Sequence, residues 1–237
     1  TYNTAVGYFA GKEITTGVTN TMIGALAGDA ITTGGNNVAL GFTALGADIA
    51  GADNVAIGFG AMSVTDNARA NVAIGFNALT ALDYGSLTYS HNVAIGFEAG
   101  KLITTATRNT IIGGQAGDAM TSGGNNVAVG YTALGSQTIA NTNVAIGDSA
   151  MATNVAADRN VAVGHESLFN MTAANTADHY NVAVGYQAGR AVSSGVNNTV
   201  IGALAGAALQ DDGNNVMIGM AAGRAAVASD IVAVGFN

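Results

Sequence analysis

A short pattern of polar and apolar residues, Asn-x-x-(Val/Ile/Leu)-Gly, recurs along the whole chain. With its glycine numbered as position zero, positions −3 and −1 are Val, Thr, Ile or Leu, position −2 is mostly Ala, and position +3 is nearly always Ala. Residues two apart share one face of a strand, and β-branched residues favour strands. The pattern therefore predicts a short strand that ends at each glycine.

The spacing of the repeat indicates the fold class. Successive motif glycines lie 17 residues apart ten times, 21 twice and 16 once. Repeats built from helix pairs need roughly 33 residues or more, so this period favours a stack of strand-containing coils. We expect an all-β fold, a parallel β-solenoid of about 14 coils, in which residues 1–237 form a single continuous segment of a longer fibre.

Stacking places identical motif positions above one another, which gives the asparagines and glycines structural roles. We expect the asparagines to hydrogen-bond along the stack and the glycines to let the chain turn. The predicted ladder consists of Asn3, Asn20, Asn37, Asn54, Asn71, Asn92, Asn109, Asn126, Asn143, Asn160, Asn181, Asn198 and Asn215. The predicted turn glycines are Gly7, Gly24, Gly41, Gly58, Gly75, Gly96, Gly113, Gly130, Gly147, Gly164, Gly185, Gly202, Gly219 and Gly235.

The two faces of each predicted strand differ in size. We expect the branched aliphatic side chains at −3 and −1 to point inward, and one of the alanine faces, at −2 or +3, to pack against neighbouring chains. Position −2 becomes large where position +1 becomes small, as with Met22 and Ala25. This compensation predicts that positions −2 and +1 share one packed space.

A longer period of 89 residues divides the repeat into blocks at about 3–91, 92–180 and 181–237. The two 21-residue coils carry insertions near residues 81–91 and 170–180, and insertions in solenoids form loops on one face. Such loops can hold aromatic contact residues. The predicted contact-loop residues are Tyr84, Tyr89, His179 and Tyr180.

Charge and composition narrow the function classes. The net charge is −8, which disfavours nucleic acid as a partner, and no apolar run is long enough for a membrane-spanning helix. We predict no catalytic residues, no metal site and no cofactor. Glu98 and Glu166 occupy the same coil position, four coils apart, which is too far for a glycosidase pair.

An ice-binding solenoid is a weaker alternative. Such a protein needs a flat rank of threonines matched between coils. The threonine pairs of this chain, at residues 15–16, 32–33 and 104–105, occur in only some coils, so the rank is broken.

Residues 54–58, Asn-Val-Ala-Ile-Gly, with Ala at +3, resemble the head repeat of trimeric autotransporter adhesins of the YadA type. Residues 3–10 and 126–134 are similar to the 17-residue arrays of bacteriophage tail fibres. The resemblance implies a homotrimeric, extracellular fibre segment that attaches to a host or surface glycan or protein receptor. A phage tail or virion fibre is the main expectation, and a bacterial cell-surface adhesin head or secreted filament is the alternative.

Overall fold

The computed structural model describes residues 2–172 and 177–236, and these residues form strands and turns with no helix. They divide into two compact units, Thr1–Ser122 and Gly123–Asn237. The strands of the first unit are β1 (Thr4–Val6), β2 (Thr21–Ile23), β3 (Val38–Leu40), β4 (Val55–Ile57), β5 (Asp66–Arg69), β6 (Val72–Ile74), β7 (Asp83–Tyr89), β8 (Val93–Ile95) and β9 (Thr110–Ile112). Those of the second are β10 (Val127–Val129), β11 (Val144–Ile146), β12 (Val161–Val163), β13 (Val182–Val184), β14 (Thr199–Ile201), β15 (Val216–Ile218) and β16 (Val232–Val234).

Strands of successive coils pair in parallel, with motif positions in exact correspondence. Val38 lies beside Val55, 17 residues later, and Val72 lies beside Val93, across the first 21-residue coil. The last pair, Val216 with Val232, follows the 16-residue spacing. The predicted all-β parallel solenoid with a repeat near 17 residues is thus confirmed.

The expected orientation of the strands is wrong. At position −2, Ala39, Ala56 and the larger Met22 have no exposed surface, whereas at position −1 Leu40 is 41% exposed. The alanines point into the coil and the branched aliphatic side chains point out. A coil of about 17 residues has a narrow interior, which close-packed small side chains fill without voids.

The expected partner of the large −2 residues is also wrong, because position +1 lies on the outer side with Phe42 45% exposed. The space that Met22 fills belongs to glycines at position +4. A Cβ built on Gly28 would lie 2.6 Å from the Met22 sulfur, and one on Gly11 would lie 3.0 Å from it. Every coil with Leu or Met at +4 has Ala at −2, as Leu45 and Ala39 show. Large side chains at −2 and at +4 therefore do not occur in the same coil, and Met22 also fills the space above Gly11 of the preceding coil.

The first insertion coil adds a second, two-stranded parallel sheet, in which β5 pairs with β7. The pairing joins Asp66 to Asp83 at one end and Arg69 to Tyr89 at the other, with a register shift between them. In the second insertion coil a single parallel bridge joins Asp158 to Asp178. Residues 173–176 of that insertion lie outside the described residues.

Candidate interaction surfaces

The motif asparagines form a column within each unit and are hydrogen-bonded to one another. The backbone N–H of Asn37 donates to Asn20 Oδ1 at 2.9 Å, and that of Asn54 donates to Asn37 Oδ1 at 3.0 Å. The side-chain amide of Asn37 donates to the carbonyl of Gly51 at 2.9 Å. In the second unit the N–H of Asn160 bonds to Asn143 Oδ1 at 2.8 Å. Each side chain therefore joins two coils and satisfies buried backbone groups.

The ladder also explains why Ile231 is tolerated at the motif position that otherwise holds asparagine. The N–H of Ile231 still donates to Asn215 Oδ1 at 2.9 Å, so the bond depends on the side chain of the preceding coil.

The motif glycines lie against the backbone of the next coil. Gly41 has a φ of 138°, and a Cβ built on it would lie 2.4 Å from the carbonyl oxygen of Gly58. No side chain fits between the two coils at this separation, and few L-residues adopt this backbone conformation. The glycines are therefore required by the stacking distance as well as by the turn.

The four predicted contact-loop residues fall into two groups. Tyr89 and Tyr180 are 56% and 52% exposed. Tyr84 is half-buried, and its hydroxyl donates to the carbonyl of Ala106. His179 is only 4% exposed, with Nδ1 lying 2.6 Å from the Ala177 oxygen, so it belongs to the wall of the coil rather than to an outer contact surface.

The sheet face that the sequence predicted to lie inside the coil points outward. In the first unit, Phe42, Phe59, Phe76 and Phe97 at position +1 form a column of stacked rings with centroids 5.2, 5.2 and 5.4 Å apart. They are between 41% and 52% exposed. Branched residues at −3 and −1 lie beside this column. Because the ring faces cover one another, the surface offers ring edges and aliphatic groups.

The second unit has a more mixed outward face. Its position −1 residues are again aliphatic, and Ile146 and Ile201 are each 39% exposed. In four successive coils, position +1 is occupied by Tyr131, Asp148, His165 and Tyr186. The rings of His165 and Tyr186 stack at 5.4 Å, and His165 Nδ1 lies 3.4 Å from the Asp148 carboxylate.

Glu98 and Glu166, which share one coil position, are each held in an ion pair. The hydrogen bond from Lys101 lowers the pKa of Glu98, and that from Arg190 lowers the pKa of Glu166. Both side chains are therefore ionised near neutral pH, which is the wrong state for a general acid. Residues 2–172 and 177–236 contain no group of three or more His, Cys, Asp or Glu side chains arranged to hold a metal ion.

Threonine hydroxyls at the other turn bond to the next coil. Thr15 Oγ1 donates to the Thr32 carbonyl at 3.1 Å, and Thr32 Oγ1 donates to the Ile49 carbonyl at 3.2 Å. These donors serve the backbone stack rather than a surface rank that could face ice.

One carboxyl group lies inside the first unit. Asp48 has no exposed surface, and its Oδ1 accepts bonds from the N–H groups of Gly51 and Asn67 at 2.8 and 3.2 Å. Its Oδ2 is buried with no hydrogen-bond partner, as is the hydroxyl oxygen of Thr65 at the same position one coil later. Burial, supplemented by the charge of Asp66, raises the pKa of Asp48 to about 6.

We expect the substitution Asp48→Asn to remove a pH-dependent loss of stability. The folded state keeps the Asp48 proton up to a pKa of about 6, whereas the unfolded chain releases it near the ordinary aspartate pKa of 3.8, so the free energy of unfolding falls as the pH rises through this interval. Above it, the variant should exceed wild type by about 2–3 kcal/mol in free energy of unfolding. Below it, both side chains are uncharged and the difference should vanish.

The measurement is urea unfolding at a series of pH values. Asp53→Asn is the matched control, because Asp53 is exposed and its replacement removes the same negative charge. A constant gap between wild type and Asp48→Asn at every pH would contradict the prediction. The substitution has a precedent within the chain, since Asn154 stands at the same coil position six coils later and bonds to both the N–H and the carbonyl of Ala157.

Comparisons of the chain with protein-family models, with curated proteins and with solved structures find no match. The class of protein is therefore defined by the fold, which is a repetitive parallel β-solenoid. The described part of the chain has no helix with the length and apolar character needed to cross a membrane.

Proposed function

We propose that this chain is a structural and adhesive fibre segment whose copies associate through the outward apolar face of the coils. The observation that carries the proposal is the exposure of the Phe42, Phe59, Phe76 and Phe97 column beside outward-facing aliphatic residues. A soluble chain gains by covering such a surface, and a second copy offers a face of the same repeat spacing.

The size of this surface supports association. A phenylalanine side chain presents about 200 Å². At 41–52% exposure, the four rings of the first unit leave about 400 Å² in water. Aliphatic residues at −1, such as Leu40, add to that area. Monomeric proteins rarely expose contiguous apolar patches larger than a few hundred Å².

The repeat itself supports a fibre. Each coil bonds to its neighbour in the same register, so coils can be added without altering the coils already present. From the resemblance of the motif to phage tail fibres and adhesin heads, we propose that the chain assembles as a homotrimer. The same resemblance supports a location of the proposed assembly outside the cell, on a virion or a bacterial surface. It also adds attachment to a host or surface glycan or protein as the role. We propose the phage or virion fibre first and the bacterial surface adhesin or filament second.

We expect the substitution Phe59→Lys to weaken self-association at least tenfold, because it places a charge within the apolar column. Sedimentation velocity of wild type should give a single oligomeric species, with three copies as the expected number. The variant should shift towards monomer at micromolar concentration while its circular dichroism remains that of a β protein.

Val64→Lys is the matched control for this experiment. Val64 is 60% exposed, more than Phe59 at 51%, but lies at position +6, away from the outward sheet face. A monomeric wild type, or equal effects of the two substitutions, would overturn association through this face.

A further inference from the structure

Most basic side chains of this acidic chain are neutralised by a carboxylate. The sequence has seven Lys and Arg residues against 15 Asp and Glu. The ion pairs are Lys12 with Glu13, Lys101 with Glu98, Arg159 with Asp178, and Arg190 with Glu166. Arg69, Arg108 and Arg224 have no such partner within residues 2–172 and 177–236. Two of these three, Arg69 and Arg108, lie in the coils on either side of the first insertion coil.

Tyr89 and His91 of the first insertion coil lie between these two arginines in the order of the coils. We call the four residues Arg69, Tyr89, His91 and Arg108 the first-insertion patch. Arg69 lies with its guanidinium carbon 5.6 Å from the centre of the Tyr89 ring. The Tyr89 ring stacks on His91, with centroids 5.9 Å apart. Arg108 occupies the turn position of His91 one coil later, and its N–H donates to the Ser90 carbonyl at 2.7 Å.

The patch is accessible and has donors without acceptors. Tyr89 is 56% exposed, and His91 and Arg108 are also exposed. The Nε of Arg69 is buried, so the terminal amino groups are the donors available to a ligand, and Nη1 makes only a long bond of 3.5 Å to the Tyr89 hydroxyl. The acidic residues of the same small sheet, Asp66 and Asp83, are neighbours in the strand register at its opposite end. The first-insertion patch is therefore a positively charged surface on a chain whose net charge is −8.

We propose that the first-insertion patch binds an anionic saccharide. An arginine fork pairs with a carboxylate or a sulfate through two parallel hydrogen bonds, which fits Arg69 and Arg108 to the acidic group. The exposed edges of the stacked Tyr89 and His91 rings add apolar contact area beside the arginines, and the Tyr89 hydroxyl can hydrogen-bond to a sugar hydroxyl. This proposal rests on the adhesive role proposed above and names the class of receptor.

The second insertion coil has the same arginine and tyrosine pairing but a different charge. Arg159 lies with its guanidinium carbon 5.8 Å from the centre of the Tyr180 ring. Here Asp178 forms an ion pair with Arg159 and accepts a hydrogen bond from the Tyr180 hydroxyl at 2.9 Å. Because its positive charge is already neutralised, this pair is an internal control with similar geometry and no free cation.

The test measures binding of the full chain to immobilised polygalacturonate, dextran sulfate and uncharged dextran at low and at physiological salt. Wild type is expected to bind at least one of the two anionic polymers and not dextran, and the preferred polymer identifies carboxylate or sulfate as the recognised group. Arg69→Gln and Arg108→Gln should each weaken binding at least tenfold. Arg159→Gln should stay within twofold of wild type.

Sedimentation and thermal unfolding of the same variants separate this proposal from the fibre proposal. The arginine variants are expected to assemble and unfold as wild type does. If wild type binds neither anionic polymer at low salt, or if the double variant Arg69→Gln/Arg108→Gln binds as wild type does, the saccharide site is overturned. Self-association through the apolar face is decided by the sedimentation result alone.

Discussion

Gly41→Ala is expected to lower the free energy of unfolding by more than about 4 kcal/mol, beyond the usual range for a single substitution. The added Cβ would lie 2.4 Å from the Gly58 carbonyl oxygen and 2.7 Å from its carbon, both backbone atoms that cannot move without breaking the register between coils. The φ of 138° adds conformational strain for any residue with a side chain. Chemical denaturation followed by circular dichroism measures the loss.

The same substitution at Gly85 distinguishes the cost of crowding from the cost of a positive φ angle. Gly85 also has a positive φ, of 62°, but a Cβ there meets no atom within 4 Å. Gly85→Ala should therefore cost about 1 kcal/mol, the strain of the left-handed conformation alone. Equal losses at the two positions would mean that the approach between coils is less restrictive than the structure indicates.

Asn37→Ala is expected to lower the free energy of unfolding by about 3–5 kcal/mol, because two buried backbone groups lose their partners. The N–H of Asn54 loses the Asn37 Oδ1 acceptor at 3.0 Å, and the Gly51 carbonyl loses the side-chain amide donor at 2.9 Å. Both groups lie inside the coil, where water does not replace the missing bonds. Denaturation at neutral pH measures the change, and thermal unfolding should show a parallel fall in Tm.

The adjacent asparagine provides the control. Asn36 is exposed, and its side-chain amide donates to Asp53 Oδ1 at 3.0 Å on the outside of the coil. Asn36→Ala should cost about 1 kcal/mol, since water can replace this bond and the loss comes from the φ of 58°, which asparagine tolerates better than alanine. If Asn36→Ala and Asn37→Ala have the same effect, the stability of the stack does not depend on the buried ladder.

The asparagine ladder and the outward sheet face serve different functions. Hydrogen bonds between asparagines hold consecutive coils of one chain together, whereas the stacked rings of Phe59 and its neighbours face outward. Ladder variants should therefore reduce the stability of the fold, and face variants should reduce association at unchanged stability. Comparing the two sets separates folding from assembly.

Much of the fold could be predicted from the repeat alone. The 17-residue spacing, the glycine after each branched aliphatic residue and the absence of a helical period lead directly to stacked parallel strands, and Val38 indeed pairs with Val55. The spacing of the asparagines led to the ladder hypothesis, and bonds between successive asparagines occur in both units. Local chemistry that recurs in every coil is readable because translation along the stack brings equal positions together.

The sequence could not decide which face of the strand is the inside. A period of two separates two faces, but both faces of these strands are apolar, so hydrophobicity does not choose between Val38 and Ala39. The cross-section of the coil decides, because its interior has room for alanine and accepts Met22 only where Gly28 leaves space.

The patch formed by Arg69, Tyr89, His91 and Arg108 likewise depends on the tertiary structure. These residues are spread over 40 positions in three successive coils, and only the pairing of β5 with β7 brings Arg69 beside Tyr89. The repeat determines which contacts recur in every coil. Three-dimensional packing determines which face of each strand points into the coil and which residues of the irregular coils meet, because both depend on distances across the coil that no periodic pattern contains.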